Sequence, residues 1–269
     1  MYDRETKTLT CLECVPEQQS ASPEITDPVT PEPSDVSNST RPESGSDTSE
    51  VFAGVAGASA QREYERRKNA RETRIRTAHP IAGGLILALS DDPQSTKAWA
   101  TGARGEELLG HRLDRLSGQG VHVLHDRRIP RTKANIDHIV VGPSGVFVID
   151  AKKYHGRPSL RVEGGLIRPR TEKLMVGSRN CTRLTEGVHK QLGLVRSALA
   201  SADLEQIPVS GMLCFVEADW PLIGGDFTIA NLLVLWPRKA ASRVVMPGNI
   251  DDATAQHVHH VLASSFPPA

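Results

Sequence analysis

Three residues in one short segment, Asp137, Asp150 and Lys152, have the types and spacing for hydrolytic chemistry on a phosphate. Apolar runs before and after the turn sequence Gly-Pro-Ser-Gly at 142–145 predict a β-hairpin. If the hairpin turns at the middle of this sequence, Asp137 lies directly opposite Asp150. Lys152 then follows on the same face of the second strand, because side chains alternate along a strand.

Two opposed carboxylates are costly unless a further group joins them. Directly opposed side chains lie only about 5 Å apart, and like charges there repel. Apolar flanking residues indicate burial, which weakens solvent screening. A divalent cation would relieve the repulsion, since Mg²⁺ binds one or two carboxylates together with substrate phosphate. Lys152 could then stabilise a nucleophilic water or a developing negative charge. The spacing equally allows an ordinary arrangement, in which Asp137 caps a turn and Lys152 forms a cross-strand ion pair.

A third acid, Glu106, is predicted on a helix over residues 101–116. Leu109, Leu113 and Leu116 follow the i, i+4, i+7 spacing of a buried stripe, and Glu106 lies three positions before it on the same side. A carboxylate facing the core is expensive unless a charged group meets it, which favours a role at the site. Alternatively, a glutamate in the first turn could simply complement the helix dipole.

The hairpin resembles a known family. The sequence Ile136-Asp-His-Ile-Val-Val141, followed by Gly145-Val-Phe-Val-Ile-Asp-Ala-Lys152 with Tyr154 and Gly156 close behind, is similar to the nuclease-related domain (NERD). That family is a branch of the PD-(D/E)xK nuclease superfamily. The stretch Gly102-Ala-Arg-Gly105-Glu106 also matches the family's Gly-x-x-Gly-Glu. The second acid is aspartate here, where many relatives have glutamate.

The resemblance implies a fold, a cofactor and roles for individual residues. The fold would be α/β, a restriction-endonuclease-like mixed sheet with flanking helices in the order α-β-β-β-β-α-β-β-α. Asp137 and Asp150 would hold Mg²⁺ or Mn²⁺, Glu106 would bind it directly or through water, and Lys152 would orient the attacking water. The family's helical glutamine corresponds to Gln191, which would support Lys152 or substrate.

Gln191 has an independent reason to need partners. It lies within the apolar stripe of a helix predicted over residues 186–200. A glutamine on a buried side requires hydrogen bonds for its amide. A bond within the core, or a position at the core boundary, would satisfy that need without any function.

The N-terminus carries half of a zinc site. Cys11 and Cys14 have the spacing of one zinc knuckle, but tetrahedral Zn²⁺ needs four ligands. Cys181 and Cys214 could complete it, although Cys214 lies in an apolar run that favours a buried, inert thiol. Residues 1–14 resemble the zinc-ribbon-like segment of actinobacterial NERD proteins, whose first knuckle would lie upstream of Met1. The alternative is a frayed tail with two free thiols.

Composition divides the rest of the chain. Residues 15–60 are predicted to be a disordered acidic linker, since residues 16–50 hold eight acids and one arginine. Residues 61–98 are predicted to form a basic helix and an apolar packing arm. The helix, with seven basic and three acidic residues between Arg62 and Arg76, could lie on a phosphate backbone or be solvated and salt-bridged. Residues 99–269 would form the nuclease-like domain.

The formal net charge is zero, so any nucleic-acid surface must be local. One predicted basic approach to the hairpin consists of Arg127, Arg128, Arg131 and Lys133. The chain shows no signal peptide and no apolar run near the ~20 residues needed to span a bilayer, which favours a soluble cytoplasmic protein.

These observations predict a Mg²⁺-dependent nuclease acting on DNA or RNA. Two rivals differ in class. One is a non-catalytic module that binds nucleic acid or protein and keeps the nuclease fold. The other is a zinc-ribbon adaptor whose C-terminal domain is only a scaffold. DNA binding that is unchanged in EDTA, without turnover, would favour the first rival.

Overall fold

A computed structural model describes residues 51–165 and 169–269, which form a mixed α/β structure. The described residues belong to one compact unit. The elements in chain order are α1 (Ala58–Ala78), α2 (Gly83–Leu89), α3 (Gln94–Asp114), β1 (His122–Arg128), β2 (Asn135–Gly142), β3 (Gly145–Lys153), β4 (Pro158–Glu163), β5 (Thr171–Val176), β6 (Arg179–Asn180), α4 (Arg183–Ala200), β7 (Val209–Val216), β8 (Phe227–Ile229), β9 (Leu232–Leu235), α5 (Pro237–Val244) and α6 (Asp252–Ser265).

The main sheet has six strands in the order β1-β2-β3-β7-β9-β8. The first three strands form an antiparallel meander, whereas β7 runs parallel to β3 and β9 parallel to β7. Strand β8 closes the far edge antiparallel to β9. A parallel pair needs a crossover connection, and α4 lies within the one between β3 and β7. The predicted mixed sheet with flanking helices is therefore confirmed.

Helices cover both faces of this sheet. Helix α3 and helix α5 pack on one face, where Leu109 and Leu113 are fully buried as their spacing predicted. Helices α4 and α6 pack on the other face, and the predicted α4 stripe is buried there at Val188, Leu192, Val195 and Leu199. Strands β2 and β3 are almost wholly buried because both of their faces are covered.

The β2–β3 hairpin has the predicted register. His138 pairs with Ile149, and Gly142 pairs with Gly145 across the turn. A Cβ atom on Gly142 would lie 2.2 Å from the carbonyl oxygen of Val244, so only glycine fits where α5 ends against the hairpin. The same register places Asp137 opposite Asp150, at the end of the hairpin away from its turn.

Several boundaries differ from those predicted. Helix α1 begins at Ala58, and the chain before it already contacts β1 through a bond from the His125 amide to the Ala53 carbonyl (2.7 Å). The folded part thus begins before the predicted linker limit of residue 60. Helix α3 begins at Gln94 instead of residue 101, since Pro93 allows the first turn to form directly after it.

The remaining differences concern short or peripheral elements. Strand β4 pairs with β5, and together with β6 they form a separate three-stranded sheet. Residues 166–168, between β4 and β5, lie outside the described residues. Helix α5 was not predicted from the sequence. The predicted packing arm corresponds to α2 and the residues just before it. Ile81, Leu85 and Leu89 are exposed there, whereas Ile86 and Leu87 are half-buried. No helix in the two described ranges combines the length and apolarity needed to cross a membrane.

Candidate functional site

The site lies where the hairpin ladder ends. The last backbone pairing of β2 with β3 is His138 with Ile149. Beyond it the Ala151 amide donates to the Asp137 carboxylate, Oδ2, at 2.9 Å. Strand β3 stays paired with β7 as far as Lys153, so this end of β3 is held from its other side. The Asp137 side chain is therefore fixed by the backbone of the neighbouring strand.

One ammonium group contacts both opposed aspartates. The Lys152 Nζ atom donates to Asp150 Oδ1 and lies 3.7 Å from Asp137 Oδ2. Asp137 and Asp150 are both buried, whereas the Lys152 side chain is 24% exposed. The two carboxylates thus share one side of the hairpin, within reach of a single cation.

This crowding changes the proton affinities of the group. Burial raises the pKa of Asp137 to about 7, and Asp150 contributes in the same direction against the opposing effects of Lys152 and the Ala151 amide. Burial acts to lower the pKa of Lys152, but the two aspartates outweigh it and raise that pKa above its ordinary value. Lys152 consequently carries its positive charge throughout the physiological pH range.

Glu106 lies on the sheet-facing side of α3, as its position on the stripe predicted. Its neighbour Gly105 lets the helix approach β3 closely, since a Cβ atom there would be 3.0 Å from the Cβ of Lys153. Glu106 is buried, and its Oε2 atom has no hydrogen-bond partner among the described residues. Burial raises its pKa to about 9, and the charges of Asp137 and Asp126 contribute. Glu106 therefore holds a proton at neutral pH.

Gln191, on α4, lies beside the start of β2 and forms no hydrogen bond with Lys152. Its amide nitrogen donates to the Asn135 carbonyl at 3.4 Å, while its Oε1 atom is buried without a partner in the described part of the chain. The structure therefore brings together Asp137, Asp150 and Lys152, and it places Glu106 in the same cleft as Lys152, near enough for their charges to affect its pKa. It places Gln191 beside the strand that carries Asp137, with one acceptor still unsatisfied.

Two histidines beside the site were not predicted as a pair. His138 points away from the aspartates, as strand alternation indicated, and its Nδ1 atom lies 2.8 Å from Nδ1 of His125 on β1. The Nε2 atom of His125 contacts the Asp114 carboxylate, also at 2.8 Å. Burial holds the pKa of His138 well below its ordinary value, and His125 lowers it further. Only the β1–β2 register, which pairs the two residues directly, reveals this contact.

A third aspartate continues the row across the sheet. Because His125 pairs with His138 and Arg127 with Ile136, Asp126 lies opposite Asp137. Its φ of 48° is in the left-handed region, which turns its carboxylate towards α1. There it accepts hydrogen bonds from the Ser59 backbone amide (2.6 Å), the Ser59 hydroxyl (2.7 Å) and the Asn135 side-chain amide (2.5 Å).

Arg127, predicted as part of a basic approach to the hairpin, is instead buried. Its guanidinium donates to the backbone carbonyls of Phe266 (2.5 Å), Phe52 (3.0 Å) and Ala263 (2.8 Å). It therefore ties the chain before α1 and the C-terminal segment to β1. The sequence pattern could not reveal this burial, because five consecutive residues of β1 are buried and the carbonyls that Arg127 contacts come from segments distant in the chain.

A cleft of about 780 Å³ opens above Glu106 and Lys152. Its charged lining consists of that single acid and of four basic side chains, so the cleft favours anions. All three lysines have acidic partners, Lys97 with Asp91 and Lys153 with Glu217, each at 2.9 Å, and Lys152 with Asp150. Arg179 is the basic side chain of this lining that forms no ion pair within the described ranges. The lining residues are Ala60, Gln94, Lys97, Ala98, Trp99, Thr101, Gly102, Glu106, Ala151, Lys152, Lys153, Tyr154, His155, Val176, Gly177, Ser178 and Arg179.

Part of this lining could have been found from the sequence. Trp99 precedes Glu106 by seven positions, which is two helical turns and hence the same face of α3. Tyr154 follows Lys152 by two positions, on the same side of the extended chain. Arg179 could not have been placed in this way, since it comes from the separate small sheet.

The donor set fits a hard cation. Its members are carboxylates, and the unpartnered Oε2 atom of Glu106 is a buried acceptor that a cation or a water bound to it would satisfy. Within the described ranges, no three His, Cys, Asp or Glu side chains are grouped closely enough to hold a metal by themselves. Two protein carboxylates supplemented by water and phosphate are nevertheless a usual Mg²⁺ environment.

The predicted zinc ligands Cys11 and Cys14 lie outside the described residues. Cys181 and Cys214 are both buried with free thiols. Burial raises the pKa of both thiols above the ordinary value, which disfavours the thiolate that zinc requires. Cys214 is therefore the inert thiol that its apolar surroundings predicted.

Comparison with known proteins supports one family. A search of curated proteins and a search of solved structures each found no match. The family model described as nuclease-related domain (NERD) matches residues 101–216, which include α3 from Thr101, the β2–β3 hairpin, α4 and β7. All four residues that meet at the site lie within that segment. The chain therefore resembles the nuclease-related domain over residues 101–216.

Proposed function

We propose that this protein is a nuclease that hydrolyses phosphodiester bonds in DNA or RNA with Mg²⁺ or Mn²⁺, in the manner of the PD-(D/E)xK superfamily. The observation that carries the proposal is the contact of one lysine ammonium with two opposed, buried aspartates beneath a basic cleft. Buried like charges are unfavourable in a purely structural role, and clustered groups with shifted pKa values are typical of functional sites.

The carboxylates bind the metal in this proposal. Asp137 and Asp150 hold it, and Glu106 binds it directly or through water. Bound Mg²⁺ supplies Lewis-acid polarisation of the phosphate and neutralises developing charge. Because Glu106 and Asp137 have raised pKa values, binding of the cation displaces protons from the site. Metal affinity should therefore increase with pH.

Lys152 acts as a fixed positive charge. Its raised pKa keeps the ammonium protonated, so it cannot serve as a general base near neutrality. It can donate hydrogen bonds to the attacking water and to the phosphate oxygens as negative charge develops on them. The Ala151 amide holds Asp137 in place beside it. Gln191 supports the start of β2, and its buried, unsatisfied Oε1 atom has acceptor capacity for an enclosed water.

One observation favours a second candidate, a module that binds nucleic acid without cleaving it. Lys152 already neutralises part of the aspartate pair, and no group of three ligands stands ready in the described residues. Such a module would use the basic cleft alone. Its binding of nucleic acid would persist in EDTA. The parent protein itself would show no cleavage, so substitution of the aspartates would have no activity to abolish.

The decisive experiment compares Lys152→Ala with the parent protein on labelled DNA and RNA in Mg²⁺ and in Mn²⁺. We expect metal-dependent cleavage that falls by at least about 100-fold in the variant, because loss of one transition-state donor costs that much. Lys173→Ala is the matched control, since Lys173 lies on β5 in an exposed ion pair with Glu163 and should cleave normally.

A metal titration by calorimetry completes the test. Asp150→Asn should abolish saturable Mg²⁺ or Mn²⁺ binding that the parent shows, while circular dichroism reports an intact fold. Equal cleavage by parent and Lys152→Ala would reject the proposed mechanism. Absence of cleavage by both, with binding that is unaffected by EDTA, would favour the non-catalytic module.

A further inference from the structure

The cleft has aromatic as well as basic side chains in its lining. Trp99 and Tyr154 line it together with Lys97, Lys153 and Arg179. Two features together bind unpaired nucleic-acid strands. Basic side chains contact the phosphate backbone of the strand, and aromatic rings between them stack with its bases. A cleft for a small polar substrate would have no need of a large ring at its edge.

Trp99 is the ring best placed to receive a base. It is 40% exposed although tryptophan is usually well buried, and the Arg67 guanidinium lies over it with Cζ 5.5 Å from the ring centroid. Such a cation–π contact holds the side chain from α1 while part of the ring stays in solvent. Because the indole ring is exposed and already restrained, it would lose little conformational entropy when a base stacks on it.

Tyr154 and Arg179 form a second pair in the lining. The Cζ atom of Arg179 lies 5.6 Å from the Tyr154 ring centroid, and Arg179 forms no ion pair with any residue in the described ranges. The loops that carry them approach closely, since a Cβ atom on Gly156 would lie 3.1 Å from the amide nitrogen of Gly177. The Gly177 amide also donates to the Arg157 carbonyl at 3.0 Å. A guanidinium with no acidic partner there is available to a phosphate.

The depth of the reactive groups selects the form of the strand. Lys152 is three-quarters covered and Glu106 more than nine-tenths covered, so the scissile phosphate must enter the cleft to reach them. A single strand can place one phosphate at this depth and leave a neighbouring base free to stack. In a duplex both faces of every internal base are already stacked and its edges are paired, so Trp99 would have no base to receive.

We propose that the cleft binds unpaired nucleic acid, with a base stacked on Trp99 and a flanking phosphate on Arg179, and that it selects single strands over duplexes. This inference deepens the proposed nuclease function and rests on it for the identity of the scissile phosphate. Trp99 lies outside the family-matched residues 101–216, as do α1 and the first turns of α3. The stacking surface is therefore supplied from outside the family-matched residues, whereas the phosphate contact at Arg179 lies within them.

Binding is tested separately from cleavage, on the full chain in EDTA. The probes are a fluorescein-labelled 12-nucleotide DNA of mixed sequence, the RNA of the same sequence, and the DNA annealed to its complement. Fluorescence anisotropy should show that at least one single strand binds 10-fold or more tightly than the duplex. The stronger of the two single-stranded probes identifies the sugar that the cleft prefers.

Substitutions then locate the contacts. Trp99→Ala should weaken single-strand binding by about 5- to 100-fold, the range typical of loss of one stacked base, whereas Trp99→Phe should retain most of the affinity. Arg179→Ala should weaken binding and reduce the slope of log affinity against log salt by about one. Arg243→Ala is the charge-matched control, since Arg243 lies in the last turn of α5, near the turn end of the hairpin, and should bind normally.

Intrinsic fluorescence gives a direct reading of the stack. Single-stranded probe should quench part of the tryptophan emission of the parent, and this part should be absent in Trp99→Phe, which keeps Trp220 and Trp236. Duplex binding as tight as single-strand binding, or a Trp99→Ala protein that folds normally and binds normally, would overturn the inference. Single-strand binding that depends on Trp99 but without metal-dependent cleavage would support the binding surface and reject the proposed nuclease.

Discussion

Two buried charge clusters lie side by side on one row of the sheet, and they are built in opposite ways. Asp126 and Arg127 on β1 have partners for every charged group, in Ser59, Asn135 and three backbone carbonyls. One strand away, Asp137 and Asp150 face each other, and nearby Glu106 has an oxygen without a partner in the described residues. Both clusters are equally deep in the protein.

The comparison shows that burial of charge alone does not identify a functional site. Fully hydrogen-bonded buried charges act as structural ties, whereas unsatisfied ones keep capacity for a ligand. In the second cluster, burial next to like charge raises the pKa values of Glu106 and Asp137. Substitutions in the first cluster should therefore change stability, and those in the second should change chemistry.

The largest effect on stability should come from Arg127→Met. The substitution keeps an apolar side chain of similar length but leaves three buried carbonyls without donors. Each lost partner is costly, so we expect a loss of roughly 3–5 kcal/mol in the free energy of unfolding. Urea denaturation measures it.

Arg128→Ala is the control for this loss. Its side chain is the next along β1 and is exposed, so it should change the unfolding free energy by less than about 0.5 kcal/mol. Similar losses in both variants would show that Arg127 is not a structural tie and would remove the contrast between the clusters.

Glu106→Gln should have the opposite effect, a gain in stability that depends on pH. In EDTA the folded parent holds the Glu106 proton up to a pKa of about 9, whereas the unfolded chain releases it near 4.5. The folded state thus binds more protons between these values, and the parent's unfolding free energy falls as pH rises through that range. The variant cannot ionise there, so at pH 8 it should be more stable by at least about 1 kcal/mol.

Melting temperatures from pH 5 to 9 measure this difference. Glu107→Gln is the matched control, because Glu107 is half exposed and pairs with Arg104. The melting temperature of this variant should depend on pH as that of the parent does. Asp137, with a pKa of about 7, leaves a smaller residual slope in every variant. Parallel curves for parent and Glu106→Gln would mean that Glu106 ionises normally.

The smallest effect should come from Ser59→Ala. It removes the hydroxyl bond to Asp126 and the longer bond (3.2 Å) that the hydroxyl accepts from the Asn135 side-chain amide. Asp126 keeps its bonds from the Ser59 backbone amide and from Asn135. We expect a loss of about 1 kcal/mol, the net value of one hydrogen bond, with unchanged nuclease activity. Ser242→Ala provides the comparison, since the Ser242 hydroxyl bonds only within its own helix, to the Arg238 carbonyl. A loss of cleavage in Ser59→Ala would join the two clusters into one functional unit.

Much of this site could be predicted because its elements are local. Period-two alternation and a Gly-Pro-Ser-Gly turn were sufficient to oppose Asp137 and Asp150, and helical periodicity was sufficient to bury Glu106. The burial of Arg127 was missed because it depends on two chain segments more than 70 residues away, at Phe52 and Phe266. The contribution of Arg179 to the cleft was missed for the same reason, since periodicity carries no information on how separate sheets meet.

The contact of His125 with His138 determines where protons lie in two rings. Asp114 accepts from Nε2 of His125, so in the neutral ring the Nδ1 atom of His125 is bare. The 2.8 Å approach of the two Nδ1 atoms then requires His138 to donate from its Nδ1 atom. The Nε2 atom of His138 is therefore unprotonated, and it is buried without a hydrogen-bond partner in the described residues. A half-exposed carboxylate at the end of α3 thereby dictates the tautomer of an imidazole two hydrogen bonds further in, one residue from Asp137.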